Sequence, residues 1–320
     1  MKLLTALVVS TFLVAVPSSA ALAQTYPDKP VTLVVPFAPG GAVDLVGRFI
    51  ADKLSATWGQ TVVVENIPGA GTLLATGQVA NASPDGYTLL INSATVTMSA
   101  AIQEQPLVDP AEQLTHIGMV GATPLLLAVS PTLGVSNYEE FAALAKEREL
   151  NYATVGVGSL NQFATEILRS AADLQMVPVH YNGGSPAMTD VIGGHADLFY
   201  GSITQVIPHV REGLMTGILV SSADRSDALP DLPSVGELGL DDAIIENWWG
   251  LFGPAGMDAA IVDKINADLN AVLQTPEMAE FLQRDGGRPI WGTPAEFSEQ
   301  VKSEYATWRQ VAEEQGIRPE

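Results

Sequence analysis

Residues 31–48, VTLVVPFAPGGAVDLVGR, restrict what this chain can fold into more than any other stretch. Val31, Leu33, Val34, Val35 and Phe37 form an apolar run of buried-strand length, and Pro36 and Pro39 end it before Gly40 and Gly41. Val43, Val46, Gly47 and Ile50 then recur at helical spacing, so the stretch reads strand, glycine turn, helix. The first turn of a helix has backbone N–H groups without internal partners, and its aligned peptide dipoles place partial positive charge there. Glycine lets an anion approach that backbone. The Gly40–Gly41 turn is therefore a candidate anion cradle that needs no basic side chain. Taken alone it is a weak motif, and a turn that serves only the fold is the simpler account.

A second stretch of the same kind shifts that balance. Residues 151–155 read as a short strand, GVGSLNQ follows at 156–162, and from Phe163 the residues Ile167, Leu168 and Ala171 keep helical spacing. Neither this turn nor the one at 66–71 is a dinucleotide fingerprint: Asn161 and Leu74 stand where the third glycine belongs. Two cradles about 115 residues apart, neither with Lys or Arg in the turn, point to one anionic group held between two lobes.

The rest of the chain alternates in the same way. Strands are expected at 61–65, 87–91, 125–129, 177–180, 196–200, 216–220 and 244–252. Helices are expected at 72–80, from 137 to about 149, at 187–192 and at 204–211, with a helical tail at 259–273, 276–283 and 294–315 around a short strand near 288–291. Asn92, Ser93 and Thr95 fall at the carboxyl end of a strand, where open α/β sheets place ligands. The order is that of an α/β chain rather than a sandwich or a bundle. Two long apolar strands, near 125–130 and 246–252, lie where the chain can cross between lobes. The expected division is 24–124 plus 253–320 for lobe 1 and 125–252 for lobe 2.

Composition narrows the function. Lys2, an apolar run at 3–16 and Ala21-Leu22-Ala23 match an export signal, residues 1–23, cleaved before Gln24. With no cysteine there is neither a disulfide framework nor a lipidated cysteine at that site. A net charge of −21 disfavours nucleic acid and anionic membranes as partners. It does not forbid an anionic ligand: a unit charge ~20 Å away costs about 0.2 kcal/mol in water before screening, less than a local helix dipole supplies. The four histidines lack zinc-site spacing, so no metal and no cofactor are expected. Gly183-Gly184-Ser185-Pro186-Ala187 approaches a nucleophile elbow but lacks its final glycine, and a surface turn is the better account.

Six segments in order, YPDKPVTLVVPFAPGGAVD, VVVENIPGAG, SPDGYTLL, LNYATVGVGS, ALPDLPSVGELG and WWGLFGPAG behind the export signal, resemble the solute receptors of tripartite tricarboxylate transporters, the Bug family. The resemblance covers nearly the whole mature chain. It implies a type II periplasmic-binding-protein-like fold, two α/β lobes joined by two hinge strands around a ligand cleft. It implies a monomeric, non-enzymatic periplasmic receptor that delivers a small organic carboxylate to transporter membrane subunits; a sensor of the same fold signalling to a membrane kinase is the alternative. By resemblance, ligand contacts fall on Ala38, Gly40, Gly41, Ala42, Val43 and Asp44 in lobe 1 and on Gly158, Ser159 and Asn161 in lobe 2. Thr72, Ser93, Tyr181, Gly201 and Trp248 match positions near the cleft. Three positions depart from the family pattern: Gln162 replaces a frequent histidine, Asn182 a common lysine and Gly201 a common aspartate. With that aspartate absent, the far end of the ligand is expected to be neutral rather than ammonium-bearing.

Overall fold

The computed structural model describes residues 26–283 and 286–319, so the export signal at 1–23 lies outside the described residues. The first half of the fold opens with β1 (Val31–Val35), α1 (Ala42–Trp58), β2 (Val62–Asn66), α2 (Leu73–Ala80), β3 (Thr88–Ser93) and α3 (Thr95–Ala101). The long strand β4 (Leu114–Val129) leads to α4 (Tyr138–Glu147), β5 (Leu150–Thr154), α5 (Leu160–Ala172), β6 (Met176–His180) and α6 (Gly184–Ile192). Then come β7 (Leu198–Ser202), α7 (Ile203–Arg211), β8 (Thr216–Val220) and β9 (Glu246–Pro254). The chain closes with α8 (Ala259–Leu273), α9 (Pro276–Gln283), β10 (Arg288–Pro289) and α10 (Pro294–Gln315).

The strands follow the order β2-β1-β3-β9-β4-β7-β5-β6, with β8 and β10 also on β4. β1 is parallel to β2 and β3, and β5 is parallel to β6 and β7, so each half is a βα-crossover unit. β4 belongs to both. Its first part, 114–124, pairs antiparallel with β9, and its last five residues pair with β7 and β8. The direction of travel explains the composition there: Leu125, Leu127 and Val129 face one core, Leu126 and Ala128 the other, and all five are buried. A strand buried on both faces reads as a continuous apolar run.

Among the described residues, three large cores hold these layers. Val31, Leu33, Val35 and Leu251 pack under α1 and α8 through Ile50, Leu54, Ile265 and Leu269. Leu126, Phe199, Ile203, Val206 and Ile207 pack under α6 and α7. The third core spans both halves, joining Leu90 and Val34 to Leu127, Tyr152 and Tyr200, with Phe297 and Val301 of α10.

Two elements depart from the expectations. Only 125–129 of β4 reads as strand in sequence, because Thr115, Gly118, Gly121, Thr123 and Pro124 break the apolar run; antiparallel pairing with β9 supplies what the side chains do not. Helix α3, TVTMSAA, shows no period because all seven residues are buried and it has no polar face.

Candidate ligand-binding site

The α1 cradle is locked before any ligand arrives. Asp44, one turn into the helix, accepts from the Gly40 N–H at 2.8 Å and from Arg48 Nε at 3.0 Å. Arg48 Nη2 also lies 3.0 Å from the other Asp44 oxygen. Asn66, at the end of β2, donates from Nδ2 to Asp44 Oδ1 and to the Phe37 carbonyl. The network pins residues 37–44 from both sides. Burial pushes the Asp44 carboxyl up, but Arg48, Gly40 and Asn66 together hold it below its usual range. Its charge would otherwise cancel the helix-start potential, and the guanidinium neutralises it. Among the described residues, the N–H groups of Ala42 and Val43 have no hydrogen-bond partner, as the first turn of a helix requires.

These two residues open onto a cavity of about 30 Å³ between the two halves. The first half contributes Phe37, Gly41, Ala42, Val43, Ser93 and Thr95. The second contributes Leu160 and Asn161 at the start of α5, Gly184 at the start of α6, Phe199 and Ser202 on β7 and Gln205 on α7. Asn247 of β9 completes the wall. Val155 separates this cavity from a wider one of about 380 Å³, whose walls include Thr72, Ile102, His180, Tyr181 and Asn182. No Lys, Arg, Asp or Glu lines either space among the described residues.

The halves touch across this site. Ala38 N–H donates to the Asn182 carbonyl, Ser185 Oγ to the Pro39 carbonyl, and Leu160 N–H to Thr95 Oγ1. The 156–158 loop is part of the same contact. A Cβ on Gly71 would lie 2.4 Å from the Val157 carbonyl oxygen, and one on Gly158 would lie 2.7 Å from Ile102. Ser185 therefore spends its hydroxyl on the other half of the molecule, which leaves the near-elbow sequence a cross-cleft contact.

Comparison with known proteins decides what this cleft belongs to. Residues 46–317 match the family described as "Tripartite tricarboxylate transporter family receptor". Protein BugT of Bordetella pertussis is 32% identical over 302 residues, 92% of each chain. The chain belongs to this receptor family. Its fold is likewise that of solved periplasmic binding proteins. A Rhodopseudomonas palustris protein solved with adipate superposes with a TM-score of 0.88 at 29% identity, covering 92% of this chain and 100% of that one. MatC from Rhodopseudomonas palustris, with bound malate, has a TM-score of 0.84 at 29% identity over 89% of this chain and 99% of that one.

Of the receptor positions expected at the ligand, the structure brings Gly41, Ala42, Val43, Ser93 and Asn161 to the cavity wall. Ala38, Gly40 and Asp44 are not on the wall and shape the cradle from behind, through the Ala38 and Gly40 N–H groups and the Asp44 carboxylate. Ser159 caps α5, accepting from the Gln162 N–H, and Gly158 donates to Gln162 Oε1 while packing against Ser99 and Ile102. Thr72 and Tyr181 line the wider cavity, where Tyr181 also donates to Asp190. Trp248 is turned away from the site: its indole N–H donates to Glu304 of α10 at 2.7 Å, and its ring packs edge-on to Phe297. Strand alternation is the reason, since Asn247 faces the cavity and its neighbour must face the other way. Gly201 lies behind the wall, and its role is steric. A Cβ there would fall 2.2 Å from the ring of Phe199, so the missing side chain makes room for an aromatic wall.

Phe199, Ser202, Gln205 and Asn247 carry no sequence expectation at the ligand, and Gly184 reads only as part of a surface turn. Gly183-Gly184 ahead of a helix was the one available signal, because α6 begins at Gly184, three residues before the apolar spacing becomes visible. Gln205 and Asn247 carry no local mark; long-range folding alone brings them to one cavity.

Proposed function

We propose that this receptor captures a small organic carboxylate in the periplasm, as a monomer, by closing two lobes on it, and hands it to the membrane subunits of a tripartite transporter. The observation that carries this reading is the pair of unpartnered N–H groups, Ala42 and Val43, at a helix start whose only acid is neutralised by Arg48. Charge-assisted hydrogen bonds contribute ~1.5 to 3 kcal/mol each, so the two give about 3 to 6, whereas micromolar affinity needs about 8 after the cost of association. A single lobe is insufficient. Donors from the second lobe and exclusion of water supply the difference, which makes closure part of binding. The adipate and malate bound to the two similar structures support a carboxylate ligand. Sheet pairing supports a division into two lobes with β4 shared between them, and β9, expected in lobe 2, pairs with β3 and the first part of β4. The absence of acidic side chains along both cavities supports a ligand without an ammonium group, since none of those walls offers a counter-ion.

Isothermal titration calorimetry on the mature protein tests the reading. The panel sets succinate, malate, adipate and benzoate against glutamate and aspartate. Micromolar binding of at least one plain acid, with the amino acids weaker, is the expected result. A preference for the amino acids would remove the neutral-end reading, and silence across the acids would remove the carboxylate itself.

A further inference from the structure

Two side-chain amides in the cleft are buried and incompletely bonded. Gln205 is 7% exposed and Asn247 is 5% exposed, and both line the small cavity. Gln205 Nε2 has no hydrogen-bond partner among the described residues. Asn247 donates from Nδ2 to Ser202 Oγ at 2.8 Å, and its Oδ1 has none. A buried polar atom without a partner costs stability, and a fold keeps one where it has another use. The surroundings of Gln205 show the use. Its amide lies directly on Gly184, where a Cβ would fall 2.2 Å from Nε2, and 4.0 Å from a Cβ built on Gly41, the residue that caps α1. An N–H donor of the second half is thus held against the start of α1, beside the unpartnered N–H groups of Ala42 and Val43. The 156–158 loop does not line this small cavity: it packs against Gly71, Ser99 and Ile102, and Gly156 and Val157 border the wider one.

Resting on the carboxylate reading above, we propose that Gln205 and Asn247 are the second half's ligand-reading residues, and that they select a carboxylate with a hydroxyl on the neighbouring carbon over the plain acid. Gln205 Nε2 donates to the carboxylate oxygen seated on α1. Asn247 meets the hydroxyl, and the match holds whichever way its amide is turned, because a hydroxyl both donates and accepts. A plain alkyl acid leaves the Asn247 atom without a partner in a dry space, and a site built to bond a hydroxyl discriminates strongly against the analogue without it.

Two pairs of probes that differ in one hydroxyl test this: malate against succinate, and lactate against propionate. Calorimetry on the wild-type protein should show the hydroxy acid at least tenfold tighter in a pair. Gln205→Leu should weaken that acid about tenfold, and Gln205→Glu, which sets a negative charge against it, more than a hundredfold. Equal affinity within both pairs, with water serving the amides instead, would overturn the proposal. A second readout needs no ligand. If Gln205 is kept for binding, ligand-free Gln205→Leu melts at or above the wild-type temperature; a clear fall would assign Gln205 a structural role and overturn the proposal. If none of the four acids binds while adipate or benzoate does, the hydroxyl proposal falls and the carboxylate reading stands; if adipate and benzoate are silent too, the carboxylate reading itself falls.

Discussion

At the scale of single residues, the start of α1 shows how a charged pair can serve a binding site without touching its ligand. Asp44 organises residues 37–44, and Arg48 keeps its charge from opposing an anion. Arg48→Met should leave the fold intact and weaken carboxylate binding about tenfold, or about 1.4 kcal/mol, measured by calorimetry. The same pair sets an acid limit. The folded Asp44 carboxyl ionises below its unfolded value, so its contribution is full above about pH 4 and is lost as pH falls through the folded value. Urea denaturation from pH 7 down to pH 3 should show this loss, and Asp44→Asn should show less of it. Glu304 has the opposite sign. Burial pushes its carboxyl up despite hydrogen bonds from Gln300 and Trp248, so ionisation costs stability as pH rises past the ordinary carboxylate range. Glu304→Gln keeps an acceptor for the Trp248 indole and should raise the melting temperature at pH 7, with the gain shrinking towards pH 4.

Among the elements, glycine loops proved to have two different uses. The loop before α1 exposes backbone to a cavity. The loop before α5 lets one half of the molecule lie against the other at the turn ahead of α2, and Gly156 and Val157 border the wider cavity beside that contact. Gly71 has φ of 58° and a carbonyl oxygen where its Cβ would stand. Gly71→Ala should therefore oppose closure far more than it opposes folding. Ligand affinity should fall at least tenfold while ligand-free unfolding changes by about 1 to 2 kcal/mol, the cost of left-handed backbone for alanine. Both loops read alike in sequence, as strand, glycines and helix, and nothing local separates them. What differs is the surface each one meets, which is set by β3, α3 and β7 from elsewhere in the chain. Gly201 is a similar case: its absent Cβ becomes meaningful only when Phe199, two residues back on the same face of β7, is seen to fill the space.

For the molecule as a whole, the proposed capture between two lobes requires a body that opens and shuts. Small-angle scattering should show a smaller radius of gyration at saturating ligand, and an unchanged radius would count against closure. Binding to the folded form alone also stabilises it: ligand at a hundred times its dissociation constant should add about 2.7 kcal/mol in denaturant titrations. The alternating strands and helices, the α1 cradle and the family were legible in the sequence, because each rests on local periodicity, on glycine and proline punctuation, or on motifs a few residues long. The tertiary structure alone decided that Trp248 turns away from the small cavity, that the loop before α1 opens onto it, and that Gln205 and Asn247 share its wall. Those outcomes depend on strand register and on contacts between residues far apart in the chain, and no short stretch encodes the far side of such a contact.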